Sequence, residues 1–512
     1  MSPQLRRRSL LALSGLALSV AVALPGSLAA DEPRHGGTLN VGFTEDANTL
    51  DPTFSIQWSE RQVLYLIYNT LVRAAPDFSL HPELAESWEI EDEGRRIVLN
   101  LQQSVSFHDG TPFNAEAVRW NLERRMSEEI GSPQRGQLAG VITGMEVVDE
   151  HTIAIMTEEP FPPLLSYLAE RPGFMLSPTA AETHGEDVGS NPVGTGPFLF
   201  REWERGNRIV LERNPDYWEE GLPYLDRIVF SDIGAAVVGI QRLIVGELDY
   251  VDSLSPQNTA MLANADDIVL DPITVGRWYS YQWQWDVEPF NNPTLRRAIA
   301  HAIDRDRLNE VTMNGQATIS NGPTPPGLWW YNEALEGFAH DPDLARELVR
   351  EAGAEGMQIA LSTPEDTILR QLNQLVQEQL NDVGLDVSLA PVAQSEWYGR
   401  VVQRQINFTP MRWTQRADPD GLLSILFHST GHANSTGYNN PEVDELLERA
   451  RRSFDQDERK ALYDRAHELI LEDLPYVPIY FSVEYAAMNQ RVRGFEWIPD
   501  QVPRFYNVWL AD

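Results

Sequence analysis

The chain has 512 residues, 42% hydrophobic and 9% aromatic, a folded-protein composition too long for one ordinary core, so two or three lobes are expected. A formal net charge of −36 excludes nucleic acid as a partner, because phosphate binding needs a basic face, and an acidic membrane surface would repel it. Cysteine is absent, which excludes disulfides, thiolate nucleophiles, cysteine metal sites and a lipid anchor on an N-terminal sulfur.

In chain order, Arg6–Arg8, the apolar run Leu10–Leu24 and the small residues Ser27–Ala30 read as an export signal over residues 1-30. That apolar run is short for a bilayer, so an exported, soluble protein of the periplasm is expected, by the Sec or the twin-arginine route. His35–Phe43 alternates like a strand, and Ser59–Arg73 has a helical rhythm with Ser59 as N-cap. Trp88–Gln102 is a hairpin across Asp92-Glu93-Gly94, and Asn114–Arg124 opens a helix. Gly194 and Gly196 mark a tight turn rather than a phosphate loop, since Pro197 follows and no helix with Lys-Ser/Thr opens there. Val238–Val251 is a helix running into a strand.

The stretch Arg277–Asp286 is an aromatic strand. Tyr279, Tyr281, Trp283 and Trp285 lie on one face, and Trp278, Ser280, Gln282 and Gln284 on the other, which is expected to line a wet cleft. Asn292–Met313 is one long helical segment and Asp341–Gly353 another with a Gly stop. Thr363–Val392 is a loop, a helix and a strand, hence an α/β unit; Asn440–Asp473 gives two exposed helices, and Pro475–Asn489 closes with strand. The polypeptide leaves one lobe and returns to it, so lobes joined by more than one crossing segment are expected to hinge.

No catalytic set assembles. His428 and His432 stand four apart, but Ser429 and Gly431 make a loop and no Glu follows the first His, so no metal site is expected. No Gly-x-Ser-x-Gly nucleophile turn occurs. Aromatic residues near turns do recur: Trp58, Trp278, Trp329, Trp330, Trp397 and Trp413. With their Gln, Asn and Arg neighbours they fit a concave site for a polar organic molecule.

The segments Leu84–Val118, Asn191–Trp218, Pro289–Leu308 and Asp418–Leu447 give this pattern a family. Over nearly the whole mature chain and in the same order, the sequence resembles the extracellular solute-binding proteins of the peptide/nickel (dipeptide/oligopeptide) ABC-importer class. The resemblance implies an α/β, periplasmic-binding-protein-like fold: two α/β lobes around a hinge plus an extra domain enlarging one lobe, three domains in all. Residues 31-57 with 190-272 and 482-512 would form lobe I, 58-189 the extra domain II, and 273-481 lobe III. It also implies a non-enzymatic, monomeric receptor without cofactor, whose partners are a small solute (peptide, peptide-like or anionic) and a membrane ABC permease complex. An oligosaccharide receptor of the same class is the alternative, and a secreted glycoside hydrolase the reading from another class.

The resemblance also points to a site. In peptide-binding members an acidic residue three positions after the equivalent of Trp413 pairs with the peptide ammonium; here that position is Arg416, which would attract a carboxylate instead. Ser362 falls where dipeptide binders can have an Arg for the peptide carboxylate. Arg416 either takes a negative group of the solute or pairs with Asp418 or Asp420 to brace the turn. The expected ligand-binding set is Trp413, Arg416, Asp418, Trp278, Asn434 and Tyr438 from one lobe, with Phe54 and Trp58 from the other.

Overall fold

The computed structural model describes residues 32–273, 276–498 and 500–512; the expected export signal, residues 1-30, lies outside them. A seven-stranded mixed sheet organises the first lobe. At its centre Thr38–Phe43 runs parallel to Arg227–Asp232 on one side and to Tyr250–Leu254 on the other. Leu39, Val41 and Phe43 are at most 1% exposed, as a strand covered on both faces requires. Antiparallel strands widen the sheet, Arg208–Arg213 and Phe198–Glu204 at one edge and Tyr485–Asn489 and Ile268–Pro272 at the other.

The helix Trp58–Ile67 packs its buried Val63, Leu64, Leu66 and Ile67 into this lobe's core. Its N-cap is Gln57, not Ser59. The reason is Glu60, fully buried, whose carboxylate accepts the backbone N–H groups of Ile56 (2.8 Å), Gln57 (3.0 Å), Asn48 (3.2 Å) and Thr49 (3.3 Å). One carboxylate therefore ties the loop before the helix to its first turn. Gly194 and Gly196 do form a close turn: a Cβ on either would meet the Ile67 or Leu66 carbonyl oxygen within 2.5 Å.

A separate four-stranded antiparallel sheet, ordered Ala85–Glu91, Arg96–Leu101, Thr152–Thr157, Ile142–Asp149, carries the expected hairpin; Asp92, Glu93 and Gly94 all take positive φ in its turn. Its layer packs against residues 417–470 through one shared apolar core. Tyr167 donates to Asp420 Oδ2 (2.9 Å), Phe78 stacks on Trp330, and Arg452 pairs with Glu159 across this seam.

The remaining lobe holds an antiparallel sheet of Thr318–Ile319, Tyr476–Phe481, Trp278–Trp283 and Phe408–Trp413, with a parallel α/β unit made by Gln358–Pro364, Thr367–Asp382 and Asp386–Val392. The aromatic strand is internal to its sheet and every residue of Trp278–Trp283 is buried, so neither face lines a wet cleft. The expected long helix from Asn292 is two, Pro293–Ala302 and Arg305–Met313, because Asp304 caps the second by accepting the Arg307 N–H. The helices Pro441–Arg452 and Gln456–Asp473 are not merely exposed. They bury Val443, Leu447, Leu462, Tyr463 and Ile470.

The strand Ile268–Pro272 belongs to the first lobe and Trp278–Trp283 to the other, so the chain passes between the lobes near Ile273 and Arg277, and it returns at Ser482–Glu484, which splits the expected closing strand in two. The crossings lie side by side: Ser482 N–H donates to Arg277 O (2.9 Å), Ile273 N–H to Glu484 O (2.8 Å) and Arg277 N–H to Ser482 Oγ (3.1 Å). Only glycine permits this approach, since a Cβ on Gly276 would sit 1.5 Å from Ser482 O. Arg277 and Glu484 pair at 3.5 Å across the two crossings.

Beside them lies Asp252, 1% exposed and next to Ser253 in a left-handed conformation at an irregularity of the sheet. Burial pushes the Asp252 carboxyl up to about 7; Glu484 adds to the rise, while Ser253 and Arg277 oppose it. A raised acid holds its proton in the fold after the unfolded chain has lost it. Its contribution to stability is therefore complete below about pH 4 and lost as pH climbs through 7. Denaturant unfolding at pH 4.5 and 7.5 is expected to show Asp252→Asn gaining on the wild type as pH rises, by at most about 1.4 kcal/mol per pH unit. Parallel pH profiles would mean that the acid is charged in the fold.

Candidate functional site: an arginine-walled cavity between the lobes

A cavity of about 340 Å³ opens between the two lobes, lined by Ile56, Trp58, Arg61, Arg171, Arg277, Arg412, Trp413, Thr414 and Arg416. Five of its nine lining residues are arginine and none is acidic, in a chain whose net charge is −36. Each arginine has a different local reason for its position. Arg61 sits in the first turn of the helix that Glu60 anchors, where the helix dipole disfavours a cation. Arg171 opens the tight turn Arg171–Gly173 and donates to the Ile56 and Gln57 carbonyls at 2.9 and 3.1 Å. Arg277 lies on the first crossing, Arg412 and Trp413 end the strand Phe408–Trp413, and Arg416 stands in the loop after it.

Three of the five have carboxylate partners. Arg412 meets Asp366 at 3.0 Å, Arg277 meets Glu484, and Arg61 Nη1 lies 3.5 Å from Asp500, which Arg504 already holds with two contacts of 2.8 Å. Among the described residues, no carboxylate oxygen comes within 4.0 Å of Arg171 or Arg416. Arg61 is 2% exposed, yet its Nε and Nη1 have no hydrogen-bond acceptor. Burial, with Arg61 and Arg416 as neighbouring like charges, pulls Arg171 down to about 9. The indole N–H groups of Trp58 and Trp413 are also buried without an acceptor. Such a set is short of acceptors and of negative charge, and a carboxylate flanked by indoles supplies both.

The expected residues divide between this cavity and other tasks. Trp58, Trp413 and Arg416 line it together. Arg416 braces neither acid of its turn; it donates to Thr414 Oγ1 (3.1 Å). Asp418 is held instead by Arg459 Nη2 at 2.7 and 2.8 Å and accepts the Asp420 N–H, while Asp420 takes Arg451 at 2.8 Å. Trp278 is the register partner of Trp413, so both indoles leave the sheet on one face, but Trp278 sinks between Phe427 and Tyr476 and is 1% exposed. Tyr438 is fully buried and donates to Asp473 (2.7 Å); Asn434 donates to the His428 and Tyr438 carbonyls and shapes that loop. Phe54 lies under the Arg124 guanidinium and is 38% exposed, outside the cavity lining. Ser362 is half-buried on the strand Gln358–Pro364 and does not line it either. Sequence reasoning missed Arg61, Arg171, Arg277 and Arg412; the signal available was Arg61 in a helix's first turn, where acids are favoured.

A second chamber of about 660 Å³ shares Arg416 with the first and is lined further by Tyr167, Asp420, Ser424, His428 and His432 among others. His428 contacts Glu448 and Thr430 there, and among the described residues no group of three His, Asp or Glu side chains is placed to hold a metal.

The model of the bacterial extracellular solute-binding proteins, family 5 (Middle), matches residues 79–434, most of the chain. The protein belongs to this family. It is similar to the glutathione-binding protein GsiB of Salmonella typhi, 30% identical over 504 residues that span 96% of each chain. Its fold is similar to that of the periplasmic binding protein DppA from Helicobacter pylori in complex with the peptide STSA, with a TM-score of 0.84 at 28% identity over 94% of this chain and 99% of that one. AgaA from A.tumefacien R10, in complex with agropinic acid, gives 0.80 at 26% identity over 93% and 99%. The family is one of solute receptors, and the hinged two-lobed architecture is theirs.

The buried Asp418–Arg459 pair carries a stability prediction that separates it from the cavity. Asp418→Ala leaves a guanidinium buried and unpaired and is expected to cost about 3–5 kcal/mol in denaturant unfolding. An unchanged midpoint would show the pair to be dispensable to the fold.

Proposed function

We propose that this chain is an exported receptor that captures a peptide or peptide-like solute bearing an anionic group and hands it to an ABC import permease. The observation that carries the reading is the arginine-walled cavity with Trp58 and Trp413 at its sides. An α-ammonium would be repelled there, whereas a carboxylate gains charge-assisted hydrogen bonds, and the indoles supply apolar contact to the remainder of the molecule. The binding of glutathione by GsiB and of agropinic acid by AgaA, both carboxylate-bearing solutes, supports the same choice.

Closure follows from where the arginines sit. Arg61 and Arg171 belong to the side of Trp58, and Arg412 and Arg416 to the opposite lobe, so a solute touching both stabilises the closed arrangement by the contacts made only there. A micromolar affinity needs about −8 kcal/mol net, which a few charge-assisted hydrogen bonds and two indole faces can supply. An oligosaccharide receptor of this class would use the aromatic strand as a stacking platform, but Trp278 and Trp283 are each 1% exposed. The hydrolase reading needs two carboxylates at the cavity, and its lining has none.

Native mass spectrometry on protein purified from its own host, with mild acid release, is expected to yield an acidic peptide-like solute whose affinity drops at least tenfold in Arg416→Ala. Release of a neutral sugar, or of a peptide held equally well by the variant, would contradict the assignment.

A further inference from the structure

The balance of charge around the cavity narrows the solute further than its class, and the narrowing rests on the receptor reading above. Behind the five lining arginines stands Arg504, packed on the same Asp500 as Arg61. Against these six guanidinium groups stand four carboxylates: Asp500, Glu484, Asp366 and Glu170, the chain neighbour of Arg171; Asp418 and Asp420, which also line chambers with Arg416, are each matched by a further arginine, Arg459 and Arg451. Two positive charges are left over. Asp252 lies near Arg277 and Glu484, but burial pushes its carboxyl up to about 7, so it is largely protonated below neutral pH and offsets less than a full charge there. His432 faces Arg416 from the second chamber; burial first, then that guanidinium, pushes its pKa down, so it adds no charge at neutral pH.

The surplus sits at identifiable atoms. Arg171 and Arg416 have no carboxylate within 4.0 Å among the described residues, and Arg61, 2% exposed, has two nitrogens without an acceptor. Arg171 and Arg416 come from opposite lobes and repel each other closely enough to oppose the charging of Arg171. We propose that the cavity selects a solute with two negative charges at one end, as in a peptide-like molecule carrying two carboxylates, one seated toward Arg61 and Arg171 and the other toward Arg416, and that the unfilled cavity destabilises the closed receptor.

A zwitterionic dipeptide with one carboxylate and one ammonium neutralises half of this surplus and adds a repelled cation. A dicarboxylate neutralises all of it and draws the two lobes together. The neutral part of the solute extends past Arg416 into the chamber lined by Tyr167 and Ser424.

The test uses the full mature chain, unfolded to strip any solute and refolded. Thermal melts are compared in glutarate against butyrate, and in phosphate against chloride, at matched ionic strength, for the wild type and for Arg416→Gln. Glutarate is expected to raise the wild-type melting temperature by several degrees more than butyrate does, and at least half of that gain is lost in R416Q. In chloride alone R416Q is expected to melt above the wild type, because a surplus charge has been removed. Butyrate matching glutarate, or R416Q melting lower without solute, would overturn the proposal, the latter assigning Arg416 to the fold. A response to phosphate equal to that for glutarate would place the double charge on one phosphate group and overturn the dicarboxylate. The receptor reading fails differently: the dianion response persists, but the protein from its host retains no peptide-like solute.

Discussion

Five guanidinium groups facing one cavity between two lobes are the constraint around which this molecule is arranged. Like charges at such range repel, and the repulsion is strongest where water is excluded. The surroundings only partly relieve it: Glu484, Asp366 and Asp500 each stand behind an arginine, Asp500 shared with Arg504, while Arg171 and Arg416 stand without such partners among the described residues. A fold that keeps such a cluster gives up stability for it, and under the proposed function the loss would be recovered when an anion enters. The overall acidity of the chain does not describe its cleft, whose sign is the opposite.

The hinge makes this arrangement usable. The two crossings run side by side, pinned by main-chain hydrogen bonds and by the Arg277–Glu484 pair, with Gly276 allowing the close approach. Arg277 belongs at once to the hinge and to the cavity wall. Under the proposed function, a solute that draws on Arg277 would touch the segment that joins the lobes, and ligand binding and closure would share one residue. The extra antiparallel domain adds a seam against residues 417–470 and Trp330, through Tyr167–Asp420 and Phe78–Trp330, and the first of these contacts holds the turn just after Arg416 from the far side.

Much of the fold was legible in the sequence. Alternation predicted the strands near residues 38–43 and 96–101, and the helix and second strand expected within Thr363–Val392 are present, because local pattern and tertiary role agree there, whereas the loop expected from Thr363 is the end of a preceding strand, Gln358–Pro364. Errors arose where one residue outweighed periodicity. Asp304 divides a continuous helical rhythm by capping a second helix, and Glu60 moves an N-cap back to Gln57 by binding four backbone amides. The aromatic strand was misjudged because alternation tells which residues share a face but not that both faces are covered. In the candidate site, Trp413 and Trp58, expected from the recurring aromatics, and Arg416, expected from the resemblance, line one cavity. Arg61, Arg171 and Arg277 were not, since residues more than a hundred positions apart converge only through the lobes, and arginine is commonplace in a chain with one lysine.

Closure as proposed depends on an anion bridging the lobes. The most direct measurement is a crystal structure of the protein isolated with the solute it carries from its host. It is expected to show a carboxylate within about 3 Å of both Arg171 or Arg61 on one side and Arg416 on the other. An ammonium or a neutral sugar in that position, with Arg171 and Arg416 turned out of the cavity, would contradict it.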